Sequence, residues 1–465
     1  MGEIKAKYPK GFYVSSLTYT FERFAFYGSK PLLILFLITA ISKGGLGIEA
    51  KEAAIIAADF TAWTYIAPVI GGFICDRWLG ARYAVSIGCV LMAIGYLFGW
   101  KATGVNSILW MIAIVSIGTG LFKGNLAAII GRLFDDEDLL DSAFSVQYSF
   151  VNIGAMLGSA ITGVLYMSTF KQGDVFGFRP VFLVCGILVF LGGVFFTLGY
   201  RTLQGQGIKP FKYKTDVNGN IIGEAEEETK EEAKKEASEP LTKNEKKRVA
   251  AIVFVSFVSI IFWLFYYQQD IALTIYMDKY VNMTLGGFTF APQHLSTTWN
   301  GLLCIFLSVG ASKLWFKLSQ RPQGDLSMFQ KVTISFIFLG LAYVVLIAME
   351  LSRGVGADAS HQVTVLWLFL FGLLLTIGEI CFSPLGNSFV SKFAPKKYLS
   401  LLIGVWTVAT FVASKLNGYI QGFVEKLGIY NIFVTFAIVS FVVAVIMFLL
   451  TKPLNKLIQD EDEEA

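Results

Sequence analysis

Long apolar runs separated by short polar stretches recur along the whole chain. About twelve can be marked, at 12–41, 54–79, 83–100, 106–133, 142–170, 178–200, 248–277, 295–318, 328–350, 363–391, 399–424 and 428–451. A run of about 20 apolar residues is enough to cross the hydrocarbon core of a bilayer as a helix. Most of these runs are too long for strands and too continuous for helices with one wet face. The pattern predicts an all-α membrane protein. The first run does not read as a cleavable leader, because it carries Glu22, Arg23 and Lys30 and continues past the length of a signal's apolar core.

Composition agrees with lipid as the solvent: of 465 residues 55% are hydrophobic and 15% charged, and 42 are Phe. Six runs, a hydrophilic stretch and six more runs predict a pair of six-helix bundles, the organisation of a transporter. The expected divisions are an N-terminal bundle at 1–200, a charged linker at 201–247, a C-terminal bundle at 248–452 and an acidic tail at 453–465. Within the linker, Glu226 and Lys230, and Glu231 and Lys235, have the i, i+4 spacing of a short solvated helix over 224–248, and Asn218-Gly219 signals a tight turn. A tether is the expected role.

The net charge of +4 matters less than where the cations lie. Lys5, Lys7 and Lys10 precede run 1, Arg77 and Arg82 follow run 2, and Lys392, Lys396 and Lys397 follow run 10, so alternate loops are basic. The bias of Lys and Arg toward cytoplasmic loops places both termini and the linker in the cytoplasm. The expected location is a cell membrane, of bacterial cytoplasmic type. Basic residues distributed by topology give no support for nucleic-acid binding. Cys75, Cys89, Cys185, Cys304 and Cys381 read as small packing residues without metal-ligand spacing, and His294 and His361 fall near the outer face. No nucleophile elbow or phosphate-binding glycine loop appears, so an enzyme is not expected, nor a cofactor.

An ionisable group deep in a membrane helix costs at least about 2.5–3.5 kcal/mol on insertion scales, so each is a functional-site hypothesis. Here they concentrate: Glu22, Arg23 and Lys30 in run 1, Lys123 in run 4, Asp270 in run 7, Glu379 in run 10 and Lys415 in run 11. Arg23, Tyr27 and Lys30 stand at i, i+4, i+7, one helix face. Trp263, Tyr267 and Asp270 repeat the spacing, and Glu379 shares a face with Ser383 just before the helix-breaking Pro384. Both signs of charge are therefore available, which suits a zwitterion: Arg23 and Lys123 for its carboxylate, Glu379 for its ammonium. The competing reading is that Glu22, Arg23 and Lys123 pair with one another to hold helices together.

Several motifs resemble one known family. Glu22-Arg23-Phe24-Ala25-Phe26-Tyr27-Gly28 looks like the signature Glu-x-x-Glu-Arg-Phe-x-Tyr-Tyr-Gly of proton-dependent oligopeptide transporters, in the major facilitator superfamily. Gly120 to Asn125 is similar to that family's Gly-x-x-Lys-Pro-Asn, and Gly378 to Gly386 with Lys392-Phe393-Ala394-Pro395 resembles its run 10 pattern. Phe262-Trp263 with Gln268-Gln269, and Trp406 with Asn417-Gly418, continue the likeness, while Gly72 to Arg82 resembles the superfamily's loop motif, a conformational latch.

The resemblance implies a major facilitator fold of 12 transmembrane helices and proton-driven import of di- and tripeptides by alternating access. It implies that Arg23 and Lys123 contact the peptide carboxylate, that Tyr27, Tyr65, Asn152 and Asn300 contact its backbone, that Glu379 meets the amino group and that Trp406 lines a side-chain pocket. Lys30, Tyr267 and Ser383 complete the expected binding residues, and Glu22, Asp270 and Glu379 the proton route. The expected partners are peptides, protons and the bilayer, with the monomer as working unit.

The chain departs from the family pattern at Tyr19, where the first Glu is expected, at Phe26, at Lys30 in place of Arg, and at Tyr267, where an acid is expected. Two carboxylates are thus replaced. Asp270 lies one turn beyond Tyr267 and is expected to pair with Lys30 as a substitute gate. The alternatives are a member that carries another small solute or works without protons, and a peptide-sensing receptor signalling through 201–247.

Overall fold

The structure is a computed structural model that describes residues 8–134, 137–210, 213–216, 220–224, 241–383, 385–395 and 398–458. Pro384, Asn218-Gly219, the helix expected around Glu226 to Lys235, the basic residues Lys5, Lys7, Lys396 and Lys397, and the acidic tail from 459 lie outside the described residues. The chain divides into two compact units, Met1–Glu227 and Glu228–Ala465.

In the first unit the six apolar runs form α1 (Lys10–Ile38), α2 (Ala50–Arg77), α3 (Ala81–Trp100), α4 (Val105–Gly131), α5 (Glu137–Val164) and α6 (Phe178–Leu198). Helices are the expected outcome in lipid, where each backbone amide must find a partner within its own segment. α1 packs against α5 and α6, α2 against α4, and α3 against α4 and α6. Small residues allow the closest crossings. On α5, a Cβ at Gly158 would lie 2.3 Å from the Phe24 carbonyl oxygen and one at Gly154 3.0 Å from the Arg23 Cβ, while Thr162 donates to the Gly28 carbonyl at 3.1 Å. This glycine-x-x-x-glycine contact fixes the stretch of α1 that carries the charges. Pro31 in α1 and Pro68 in α2 lack an amide hydrogen, which leaves the Tyr27 and Thr64 carbonyls without their usual helical donors.

The second unit contains α7 (Lys243–Tyr266), α8 (Ala272–Tyr280), α9 (Asn300–Ser319), α10 (Met328–Arg353), α11 (Leu366–Phe382), α12 (Leu385–Phe393), α13 (Leu399–Leu427) and α14 (Ile429–Ile458). α7 starts five residues ahead of the expected 248, because Thr242 and Glu245 form a reciprocal capping box. Two breaks differ from the unbroken helices that the apolar pattern predicts. Run 7 is interrupted by a 3₁₀ turn at Tyr267–Asp270 before continuing as α8. The freed carbonyls there find side chains, Asn417 donating to Tyr267 O at 3.1 Å and Thr274 to Gln269 O at 2.9 Å. Run 8 opens with a π turn at His294–Trp299, which the Trp299 indole anchors by donating to Phe369 O at 3.1 Å.

Ten helical segments among the described residues are long and apolar enough to span a membrane, five in each unit. The sixth of each unit is α1, long enough but carrying Glu22, Arg23 and Lys30, and α11, a shorter apolar helix. Together they make the 12 membrane helices of a major facilitator fold in two six-helix bundles. Large apolar side chains such as Phe306, Phe316 and Phe448 remain exposed on this architecture, as lipid contact requires. Along the chain between α6 and α7 runs a small hairpin, β1 (Tyr213–Thr215) antiparallel to β2 (Ile221–Glu224), whose strands flank the predicted Asn218-Gly219 turn in sequence.

Candidate functional site

The first unit gathers charge around α1. Glu22 and Arg23 are 2% and 6% exposed, and the guanidinium donates through Nε and Nη2 to both carboxylate oxygens. Three rings of the same helix surround the cation: its Cζ lies 5.5 Å from the Tyr19 centroid, 5.0 Å from Phe26 and 5.8 Å from Tyr27. The buried charge is therefore held both by a bidentate carboxylate and by aromatic faces. Lys123 reaches the ring of Tyr65, its Nζ 4.9 Å from the centroid. α2 and α4 come together here backbone to backbone, since a Cβ on Gly71 would lie 2.0 Å from the Gly120 carbonyl oxygen. The pairing reading thus holds for Glu22 with Arg23, whereas Lys123 is oriented by a phenol. Asn152 is half-buried on α5, and Lys30 half-buried on α1.

The second unit centres on Glu379. Its Oε2 accepts from Tyr266 Oη at 2.9 Å, from Asn300 Nδ2 at 2.7 Å and from Cys304 Sγ at 3.8 Å. Asn300 also reaches Thr376 Oγ1 at 3.0 Å. The other oxygen, Oε1, has no hydrogen-bond partner among the described residues, so one face of the carboxylate is left for a ligand. Asn300 is presented by its place as the first residue of α9, directly after the π turn; such turns commonly redirect side chains at functional sites.

Around this carboxylate stand aromatic walls. Trp263 stacks on Tyr267 at 5.5 Å, and Trp406 lies parallel to Phe382 at 6.4 Å. Gly386 makes room for Trp406, because a Cβ there would meet its indole at 2.4 Å. Gln268 donates to Asn417 Oδ1 at 2.7 Å, so the motif residues Gln268 and Asn417 brace the turn that carries Tyr267 and Asp270. Ser383 keeps its predicted register with Glu379, its amide donating to the Glu379 carbonyl at 2.7 Å, and is exposed.

Thus Glu22, Arg23 and Tyr27 meet in one unit with Lys123 and Tyr65 adjoining each other on α4 and α2, and Glu379 and Asn300 meet in the other. The sequence reading missed Tyr266, Thr376 and Cys304. Thr376 stands three residues before Glu379, a spacing that marks the same helix face. Tyr266 carried no such signal, because its reach to Glu379 crosses from α7 to α11. Among the described residues no group of His, Cys, Asp and Glu is arranged to hold a metal ion.

Comparison with known proteins identifies the family of the chain. The chain is 27% identical to the uncharacterized transporter YclF of Bacillus subtilis, over 97% of this chain and 95% of that one. It is 26% identical to the peptide transporter YePEPT of Yersinia enterocolitica, with 97% and 95% covered. Among solved structures, a POT family transporter in complex with 5-aminolevulinic acid superposes with a TM-score of 0.82 at 26% identity, covering 96% of this chain and 97% of that one. These relatives are transporters rather than enzymes. The family model described as PTR2, POT family, matches residues 82–435, and the chain belongs to the POT family of membrane transporters.

Proposed function

We propose that the protein imports di- and tripeptides by proton symport, through alternating access, in the cytoplasmic membrane of a cell, with both termini inside and the monomer as the working unit. The observation that carries this reading is the Glu379 carboxylate, held by donors on Oε2 alone and open at Oε1. An anion of this kind and the cations Arg23 and Lys123 are the two chemistries that a molecule with one ammonium and one carboxylate calls for. Relatives named as peptide transporters, such as YePEPT, support the substrate class.

In this reading Glu22 couples the proton to the peptide. While ionised it occupies Nε and Nη2 of Arg23; once protonated it loses its hold on the guanidinium fork, which turns to the peptide carboxylate. Asn152, Tyr27, Tyr65 and Asn300 contact the backbone, Trp406 and Tyr267 a side chain, with Lys30 and Ser383 completing the site. Asp270 and Glu379 carry the remaining proton steps. A second reading, peptide exchange without protons, is favoured by Tyr19 and Tyr267 standing where the family signature has carboxylates.

Uptake of labelled dialanine into proteoliposomes, with and without an inward proton gradient, separates the two for wild type and Glu22→Gln. Gradient-stimulated uptake that the substitution abolishes is the expected result. Exchange indifferent to the gradient supports the second reading, and absence of any peptide flux overturns both.

A further inference from the structure

Beyond the Glu379 cluster, the second unit holds a cavity of about 370 Å³ where α8, α10 and α13 end and α14 begins. Its floor is built by an ion pair that spends its hydrogen bonds internally. Arg353 donates to Glu350 through Nε at 2.8 Å and Nη2 at 2.7 Å, and Tyr276 Oη donates to the same carboxylate at 2.5 Å. The remaining nitrogen, Nη1, donates to the carbonyls of Ala357 at 2.6 Å and Asp358 at 3.2 Å, which folds 354–358 into a wall. Tyr280 is occupied as well, with the Arg353 Cζ 4.4 Å from its ring centroid.

What remains is addressed to a ligand. Gln421 lines the cavity and is 5% exposed; its Oε1 is shielded from the open space and has no hydrogen-bond partner among the described residues, and a half-turn of the terminal amide brings that acceptor to the cavity. A buried amide left unpaired is uncommon enough to call for a partner. Glu425, also lining, lies one turn further along α13 on the same face, and Tyr430 adds an aromatic wall. With Glu350 and Arg353 cancelling each other, the lining charges left are the Glu425 carboxylate and the Lys279 ammonium. An acceptor amide, a carboxylate and a phenol ring suit N–H donors on a cation, and the lysine suits an anion a few bonds away.

We propose that this cavity is a second binding site, distinct from the Glu379 cluster, for a small zwitterion that offers a primary ammonium to Gln421 and Glu425. Two sources carry that chemistry, a short peptide and the headgroup of an aminophospholipid, since the cavity sits at the membrane-edge end of four helices. The site does not depend on the transport reading, because none of its lining residues belongs to the Glu379 cluster.

The test uses the full chain in nanodiscs. A photoactivatable dipeptide, photo-leucyl-alanine, is cross-linked and its adducts mapped; in parallel, native mass spectrometry compares retention of phosphatidylethanolamine with that of phosphatidylcholine, whose ammonium has no N–H. Adducts on Ala272–Tyr280 or 421–431 that fall at least tenfold in Glu425→Gln and Gln421→Leu, persist in Glu379→Gln and vanish with an N-acetylated probe support the site with a peptide ligand. Retained phosphatidylethanolamine, lost in the same two variants and not matched by phosphatidylcholine, supports it with a lipid ligand. Because Glu425 is exposed, Glu425→Gln tests the idea even where Gln421→Leu fails to fold. Neither probe held, or both held equally by wild type and Glu425→Gln, overturns the proposal.

Discussion

Replacing Glu22 by Gln removes the anion that the buried Arg23 guanidinium grips with two nitrogens. Breaking a buried ion pair by deleting one partner costs about 3–5 kcal/mol, because the remaining charge is stranded. Two features moderate the loss here. The amide carbonyl of the new residue can still accept one hydrogen bond, and the rings of Tyr19, Phe26 and Tyr27 already lie 5.0 to 5.8 Å from the cation. The lower end, about 3 kcal/mol, is therefore expected. For a unit the size of Met1–Glu227, where each kcal/mol moves Tm by about 2–4 °C, that corresponds to a drop of roughly 6–12 °C. Thermal unfolding of the detergent-solubilised protein at pH 7.5, with and without dialanine, measures it. Peptide should raise the variant's Tm more than the wild type's, since the peptide carboxylate replaces the missing partner. A variant that melts within a degree or two of wild type, with equal stabilisation by peptide in both, would refute the idea that Glu22 and a peptide carboxylate compete for Arg23.

Three more outcomes follow from named contacts. Asn300→Ala deletes a charge-assisted donor to Glu379, worth about 1.5–3 kcal/mol, so the detergent-solubilised protein should unfold at a lower temperature; unchanged melting would count against the assignment. Asn417→Leu strips the Tyr267 carbonyl of its donor and Gln268 of one of its two acceptors, the stranded carbonyl costing about 1–3 kcal/mol, which should lower the unfolding temperature and speed proteolysis within 267–271; unchanged melting would mean the turn stands without it. At Asp358, the Ser360 hydroxyl and amide and His361 hold the carboxyl down to about 2. A depressed carboxyl contributes stability that is complete above its ordinary value near 4 and fades only as pH falls toward 2, so Asp358→Asn should leave the uptake profile between pH 5.5 and 7.5 unchanged, and an altered slope there would contradict it.

The parts of this molecule that were legible in its sequence are those decided by local solvent preference. The helix at Ala81–Trp100 was expected at 83–100 and that at Phe178–Leu198 at 178–200, because an uninterrupted apolar run has one stable form in lipid. The i, i+4 spacing of Arg23 and Tyr27 was legible for the same reason, and the structure sets the two side chains beside each other. What was not legible depends on partners distant in sequence. Nothing near Tyr267 announces that run 7 breaks there: the break is bearable because Asn417, 150 residues on, supplies a donor to the freed carbonyl.

Glu379 shows both limits at once. Its presence in an apolar run marked it as a candidate for the site, and Thr376 shared its face by spacing, but the donors that set its character, Tyr266 and Asn300, arrive from two other helices. One of them is aimed by a π turn that leaves no compositional trace. The consequence for function is specific. Sequence spacing identifies which charges a membrane protein keeps at a cost of several kcal/mol, whereas only packing reveals which oxygen of a carboxylate is spent on the protein and which is left over. In this chain Oε2 of Glu379 is spent and Oε1 is left, and both oxygens of Glu22 are spent on Arg23. Under the proposed function a ligand ammonium would be met at Glu379 without rearrangement of its donors, while a ligand carboxylate at Arg23 would first have to displace Glu22. On that proposal the peptide's carboxylate, and not its ammonium, is the end whose binding depends on the protonation of a buried carboxylate, Glu22.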